Sequence, residues 1–125
     1  MKRAISAILA ALVLALNFAA CDSSPKATPA SSFSWHEKDG VYRLTKFIGS
    51  ERNVIIPSKV NGVEVKTVAL MAFQGTSIES VVVPDSVTLI EDYAFDRCDN
   101  LKSIIFGKGV TVLKANTVTY CRSLE

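Results

Sequence analysis

The chain has 125 residues, 49% of them hydrophobic, and a formal charge of +2. The apolar content is concentrated in the first twenty residues, where Lys2 and Arg3 are the only charges; beyond them twelve basic and twelve acidic side chains balance. A neutral body with no basic stripe gives no electrostatic reason to expect a nucleic-acid partner, and the length allows one domain.

Residues 1–20 read as a secretory signal peptide: Lys2 and Arg3 form a positive start, Ala4 to Leu16 an apolar run, and Ala19 and Ala20 a small-residue site. The apolar run, about 17 residues, is marginal for spanning a hydrocarbon core, which leaves an uncleaved anchor as the other reading. Phe18-Ala19-Ala20-Cys21 resembles a bacterial lipobox. That resemblance implies acylation of Cys21, which becomes the new N-terminus and a membrane anchor, because several acyl chains hold where one does not. Residues 21–32 are rich in Ser, Thr, Pro and Ala with no apolar period, and read as a flexible tether. Whether the anchor sits in an inner or outer membrane stays open.

Residues 33–53 read as a β-hairpin cap. Ser34-Trp35-His36 and Tyr42-Arg43-Leu44 flank Asp39-Gly40, a hairpin turn signal, and Trp35, Tyr42 and Phe47 are the expected cover for the core behind it.

From residue 54 the chain repeats. Residues 78–100 and 101–123 superpose at an offset of 23: Val81 falls on Ile104, Val83 on Phe106, Ile90 on Leu113 and Cys98 on Cys121. A diverged earlier unit starts at Val54-Ile55-Ile56-Pro57, is lengthened by an insertion at Asn61-Gly62-Val63-Glu64-Val65, and resumes at Thr67-Val68 and Ala72-Phe73. A period of this length is one coil of a solenoid, whose apolar face is buried only by its neighbours. In each coil Ile78, Val81 and Val83 mark an inward-facing strand, Pro84-Asp85-Ser86 a turn, Leu89-Ile90 a second apolar stretch, and Asp92-Tyr93-Ala94-Phe95 a single helical turn with Asp92 as its cap.

Val82-Val83-Pro84, Val87-Thr88-Leu89-Ile90, Ala94-Phe95 and Cys98-Asp99-Asn100-Leu101 together resemble the BspA-type leucine-rich repeat of bacterial surface proteins. In the last unit Gly107 stands where Pro84 does, and Thr117-Val118 where Ala94-Phe95 does. The resemblance implies an α/β fold: a short leucine-rich-repeat solenoid, mostly β with one short helical turn per coil, of about three units over residues 54–125 and with the N-terminal hairpin as cap. It also implies an exported surface protein that binds a protein or a host surface. No cap is expected after Leu124, so the last coil reads either as a site of self-association or as the end of a structural fragment with no ligand of its own.

Residues of catalytic type are few. His36 is the single histidine and reads as an exposed strand residue. Gly107-Lys108-Gly109 is too short for a phosphate loop. Glu91, Asp92, Asp96 and Asp99 read as solvated turn residues, not as a calcium site. The chain therefore reads as a binding protein, without catalysis, metal or cofactor. Cys98 and Cys121 occupy equivalent places in successive coils, and two readings stand: a disulfide, allowed by the spacing of stacked strands, or a ladder of buried thiols, which the resemblance implies. Ile55, Val82 and Ile105 alternate with inward strand positions and so point outward. This apolar row, flanked by Asn53, Ser80, Ser103 and Lys102, is the candidate protein-contact strip.

Overall fold

The structure, a computed structural model, describes residues 25–125. Cys21 and the signal-like segment lie outside the described residues. Among the described residues, nine strands follow one short 3-10 turn at Ala30–Ser32: β1 (Phe33–Lys38), β2 (Val41–Phe47), β3 (Asn53–Ile55), β4 (Lys59–Val60), β5 (Val63–Val68), β6 (Ser80–Val82), β7 (Leu89–Ile90), β8 (Ser103–Ile105) and β9 (Val112–Leu113). Each coil contributes one strand to each of two parallel ladders. The first sheet has the order β3-β6-β8; the second runs β9-β7-β5-β2-β1, with β4 paired to β5.

The 23-residue offset becomes register in space. Val54, Val81 and Ile104 are neighbours across the first sheet, and Val68, Ile90 and Leu113 across the second. Between the ladders lies one core in which Ile78, Val81, Val83, Val87, Ile90, Ala94, Phe95, Cys98 and Leu101 are all buried. Each large apolar side chain so placed contributes about 1.5–3 kcal/mol over exposure. A column of phenylalanines runs along the axis: Phe33 to Phe47 at 5.5 Å, Phe47 to Phe73 at 5.4 Å and Phe73 to Phe95 at 5.1 Å between ring centroids, the last two pairs near parallel. Val118 holds this place in the next coil.

The N-terminal end is closed. β1 and β2 pair antiparallel around Asp39 (φ 55) and Gly40 (φ 75), the left-handed pair that the hairpin turn requires. β2 then runs parallel to β5, so the hairpin adds two strands to the second sheet. Phe33 and Phe47 supply the buried cover, with Trp35 and Tyr42 half-buried behind them. The insertion at residues 61–65 is a second hairpin: Asn61 (φ 51) and Gly62 (φ 80) turn β4 into β5.

Two expectations change. The helical turn at Asp92–Phe95 takes the form of consecutive tight turns, because Tyr93 (φ 58) and Arg97 (φ 57) are left-handed and break any helical hydrogen-bond run. The ends of these turns bond to the next coil instead: Phe73 N donates to Ala94 O at 2.7 Å, and Phe95 N to Thr117 O at 2.8 Å. Residues 28–32 also depart from the flexible tether expected over 21–32. Thr28 is 7% exposed and docks on the free edge of β3, its N–H donating to Ile55 O at 2.8 Å while its Oγ1 accepts from Ile55 N at 2.9 Å. Ser32 is pinned as well, donating to Glu51 Oε2 at 2.8 Å and accepting from Ile48 N.

At the other end, Ile105 (60% exposed) and Leu113 (50%) carry open sheet edges, with Phe106, Val112, Val118 and Tyr120 also exposed. Among the described residues no helix is long and apolar enough to cross a membrane.

Candidate protein-contact face

The first sheet places the candidate strip in one row. Ile55 pairs with Val82 and Val82 with Ile105; one position earlier, Val54 and Val81 are buried and Ile104 is half-buried. The period of two in a strand therefore turns Ile55, Val82 and Ile105 to the outside. Exposure rises along the row: Ile55 and Val82 are half-buried, and Ile105 is the most open.

Beside it runs a polar row in the same register, Asn53, Ser80 and Ser103, in which Ser80 Oγ donates to Asn53 Oδ1 at 2.8 Å. A third row was not anticipated. Glu79 N donates to Arg52 O at 2.6 Å, Lys102 N to Glu79 O at 2.8 Å, and Glu125 N to Lys102 O at 3.1 Å, so four residues at one place in the repeat alternate in charge. Arg52 Nη1 pairs with Glu79 Oε2 at 2.7 Å. That guanidinium, aided by Lys102 and opposed by slight desolvation, holds the Glu79 carboxyl below its usual range. Only Lys102 of this row had been singled out. The 23-residue offset relates Glu79, Lys102 and Glu125 directly, whereas the insertion sets Arg52 27 residues before Glu79 and hides it from a fixed period. Arg52, Glu79 and Lys102, with Asn100 and Ser123, line a shallow groove of about 160 Å³.

The structure holds Cys98 and Cys121 as free thiols, each donating to the preceding coil: Cys98 Sγ to Phe73 O at 3.0 Å and Cys121 Sγ to Phe95 O at 2.9 Å. Burial raises both thiols above their ordinary pKa, which keeps the proton these bonds need. Asp96 departs from its reading as a solvated turn residue. It is 3% exposed, and its carboxylate joins three coils by accepting from Gln74 Nε2 at 2.8 Å and Thr119 Oγ1 at 2.6 Å. Those donors lower its pKa against the cost of burial, Thr119 the most. Glu91 is likewise engaged, with Arg43 at 3.0 Å and Leu70 N at 2.9 Å. The acidic side chains thus point to separate partners, and among the described residues no group of His, Cys, Asp or Glu is arranged to hold a metal ion. His36 lies exposed on β1.

Residues 66–125 match the family model described as BspA type leucine-rich repeat region (6 copies). The fold is a leucine-rich-repeat solenoid. A leucine-rich-repeat protein of Treponema pallidum superposes with a TM-score of 0.77 at 32% identity over 79% of this chain. A leucine-rich cell surface protein of Faecalibacterium prausnitzii gives 0.67 at 26% identity over 82% of the chain. A leucine-rich-repeat protein of Bacteroides capillosus gives 0.63 at 24% identity, covering 69% of both chains, and supports the fold alone. The chain spans 48% of the Treponema protein and 30% of the Faecalibacterium one. No curated protein sequence matches it. The leucine-rich-repeat architecture explains why strand faces and turns carry the distinctive side chains.

Proposed function

We propose that this leucine-rich-repeat solenoid is an exported, lipid-anchored protein of the bacterial envelope that binds a protein partner through the outer face of its first sheet. The observation that carries this reading is the Ile55–Val82–Ile105 row. Three branched apolar side chains are held in register on an exposed face, with the Asn53–Ser80–Ser103 row beside them and the alternating charges of Arg52, Glu79 and Lys102 beyond that row on the same side. An exposed apolar strip bordered by polar and charged rows suits a protein interface. The Faecalibacterium relative, a cell surface protein, and the lipobox-like Phe18-Ala19-Ala20-Cys21 support the location.

The double variant Val82→Glu with Ile105→Glu is expected to abolish binding to intact cells or envelope fractions, by tenfold or more in affinity (about 1.4 kcal/mol), while far-ultraviolet dichroism and melting stay close to wild type. Unchanged binding in a folded double variant would remove the strip from the function. A second surface is the exposed apolar set Phe106, Val112, Leu113 and Tyr120, and self-association through it is the other mode of contact.

A further inference from the structure

Two successive coils carry, on their turns, a groove that the strand face does not use. Arg97 and Asp99 of one coil and Tyr120 and Arg122 of the next line about 330 Å³ of open space. We propose that this groove binds a carboxylate of an acidic peptide segment between its two arginines. The site does not depend on the Ile55–Val82–Ile105 strip.

The repeat brings the four side chains together. Arg97 and Tyr120 share one place in the 23-residue period, and Asp99 and Arg122 share another. Each pair of neighbours flanks a cysteine that turns inward: Cys98 is buried and Cys121 half-buried, while Arg97, Asp99, Tyr120 and Arg122 are all exposed. In the first coil the same places hold Gly75 and Ser77, so the charged and aromatic set belongs to this pair of coils. The backbone sets Arg97 and Tyr120 apart. Their place is left-handed in all three coils, with φ 69 at Gly75, 57 at Arg97 and 54 at Tyr120. Glycine is at ease there and a Cβ is disfavoured. The two larger side chains nevertheless add nothing to the core, the Arg97 side chain being 69% exposed and Tyr120 68%. A disfavoured backbone that carries solvent-facing side chains is typical of functional sites.

The groove is also held in shape. The buried Asp96 carboxylate meets Arg97 Nε at 3.5 Å while it accepts from Thr119, the neighbour of Tyr120. Arg97 N donates to Thr119 O at 2.9 Å, and its guanidinium lies over the Tyr120 ring, 5.4 Å from the centroid. Arg122 Nε stands 3.8 Å from Asp99 Oδ1, and Ser123 Oγ donates to Asp99 O at 2.6 Å. Both arginines thus turn Nε to a carboxylate of the protein, which leaves the Nη edge of each to meet a ligand. A planar fork of this kind matches the two oxygens of a carboxylate.

Charge selects among anions. Arg97, Arg122 and Asp99 leave one net positive charge on the lining, which matches a carboxylate and falls short of a dianionic phosphate. Arginine and tyrosine are the side chains enriched where proteins anchor their partners, which favours an acidic peptide over an acidic sugar. Asn100 and Ser123 follow Asp99 and Arg122 directly and line the groove of Arg52, Glu79 and Lys102, so the two grooves are neighbours along the chain.

The test follows the isotope-labelled full chain by nuclear magnetic resonance in a non-ionic detergent, titrated with a blocked triglutamate peptide, with inorganic phosphate and with glucuronate. The Nε–H signals of Arg97 and Arg122 are expected to shift saturably with the peptide. Arg97→Gln and Arg122→Gln, both at exposed side chains, are each expected to weaken it at least about fivefold. Arg97→Lys, which keeps the charge and loses the fork, is expected to fall between. Amide spectra unchanged away from the groove certify the fold of each variant. Shifts that do not saturate, wild-type affinity in both glutamine variants, or tighter binding of phosphate or glucuronate than of the peptide would each overturn the proposal.

Discussion

At the scale of single residues, the coils are joined by polar atoms that the apolar period does not reveal. Asp96 is the clearest case, a carboxylate buried between Gln74 of the preceding coil and Thr119 of the following one. Its pKa is lowered in the fold, so folding favours its charged form. The associated stability is complete above the ordinary carboxylate value, about 3.9, and is lost as pH falls through it toward the depressed folded value. Asp96→Asn places an amide where an acceptor meets two donors. It is expected to cost about 1–3 kcal/mol at pH 7 and to flatten the acid side of the stability profile. Urea denaturation of both proteins from pH 7 to pH 3 checks this, and parallel profiles would remove Asp96 as a linkage group.

At the scale of elements, the turn that replaces Pro84 in the last coil has a packing reason. Gly107 and Gly109 pass directly over Pro84 and Asp85, and a Cβ on Gly109 would overlap the Asp85 carbonyl. Lys108 N also donates to Asp85 Oδ1 at 2.7 Å. Gly109→Ala is expected to cost about 1–3 kcal/mol through forced backbone movement, with the loss confined to β8 and β9 by amide exchange. A cost below a few tenths would show that the turn can move aside. The coil period, both inward rows and the outward strip were legible in the sequence because each follows from alternation within a strand. The Asn61-Gly62 hairpin carried the same turn signal as Asp39-Gly40, but the alignment of repeats absorbed it as a length difference. The docking of Thr28 was not legible: a Ser/Thr/Pro stretch has no apolar period, and its partner, the free edge of β3, exists only once the sheet is built.

At the scale of the whole molecule, a solenoid is a one-dimensional array in which each coil is held by its own contacts and by its neighbours. The three coils can be compared at one place, because Ala69 N donates to Leu44 O, Glu91 N to Val68 O and Lys114 N to Ile90 O, each at 2.9 Å. Bond length is thus the same for all three, and what differs is what lies on either side. Ala69 is backed by the hairpin and its aromatic cover, Glu91 by a coil on each face, and Lys114 by a coil on one face only, beside the half-exposed Leu113. Opening should therefore begin at the last coil. At micromolar protein, the Lys114 amide is expected to exchange at least about tenfold faster than those of Ala69 and Glu91, relative to their intrinsic rates. Equal protection at all three would mean that the array opens as one unit and that nearest-neighbour coupling exceeds the stability of any coil. The concentration dependence then separates the two uses of the free end. If Phe106, Val112 and Leu113 serve self-association, protection of Lys114 rises with protein concentration while that of Glu91 does not; if it stays constant, the free end is not buried by a second copy under those conditions.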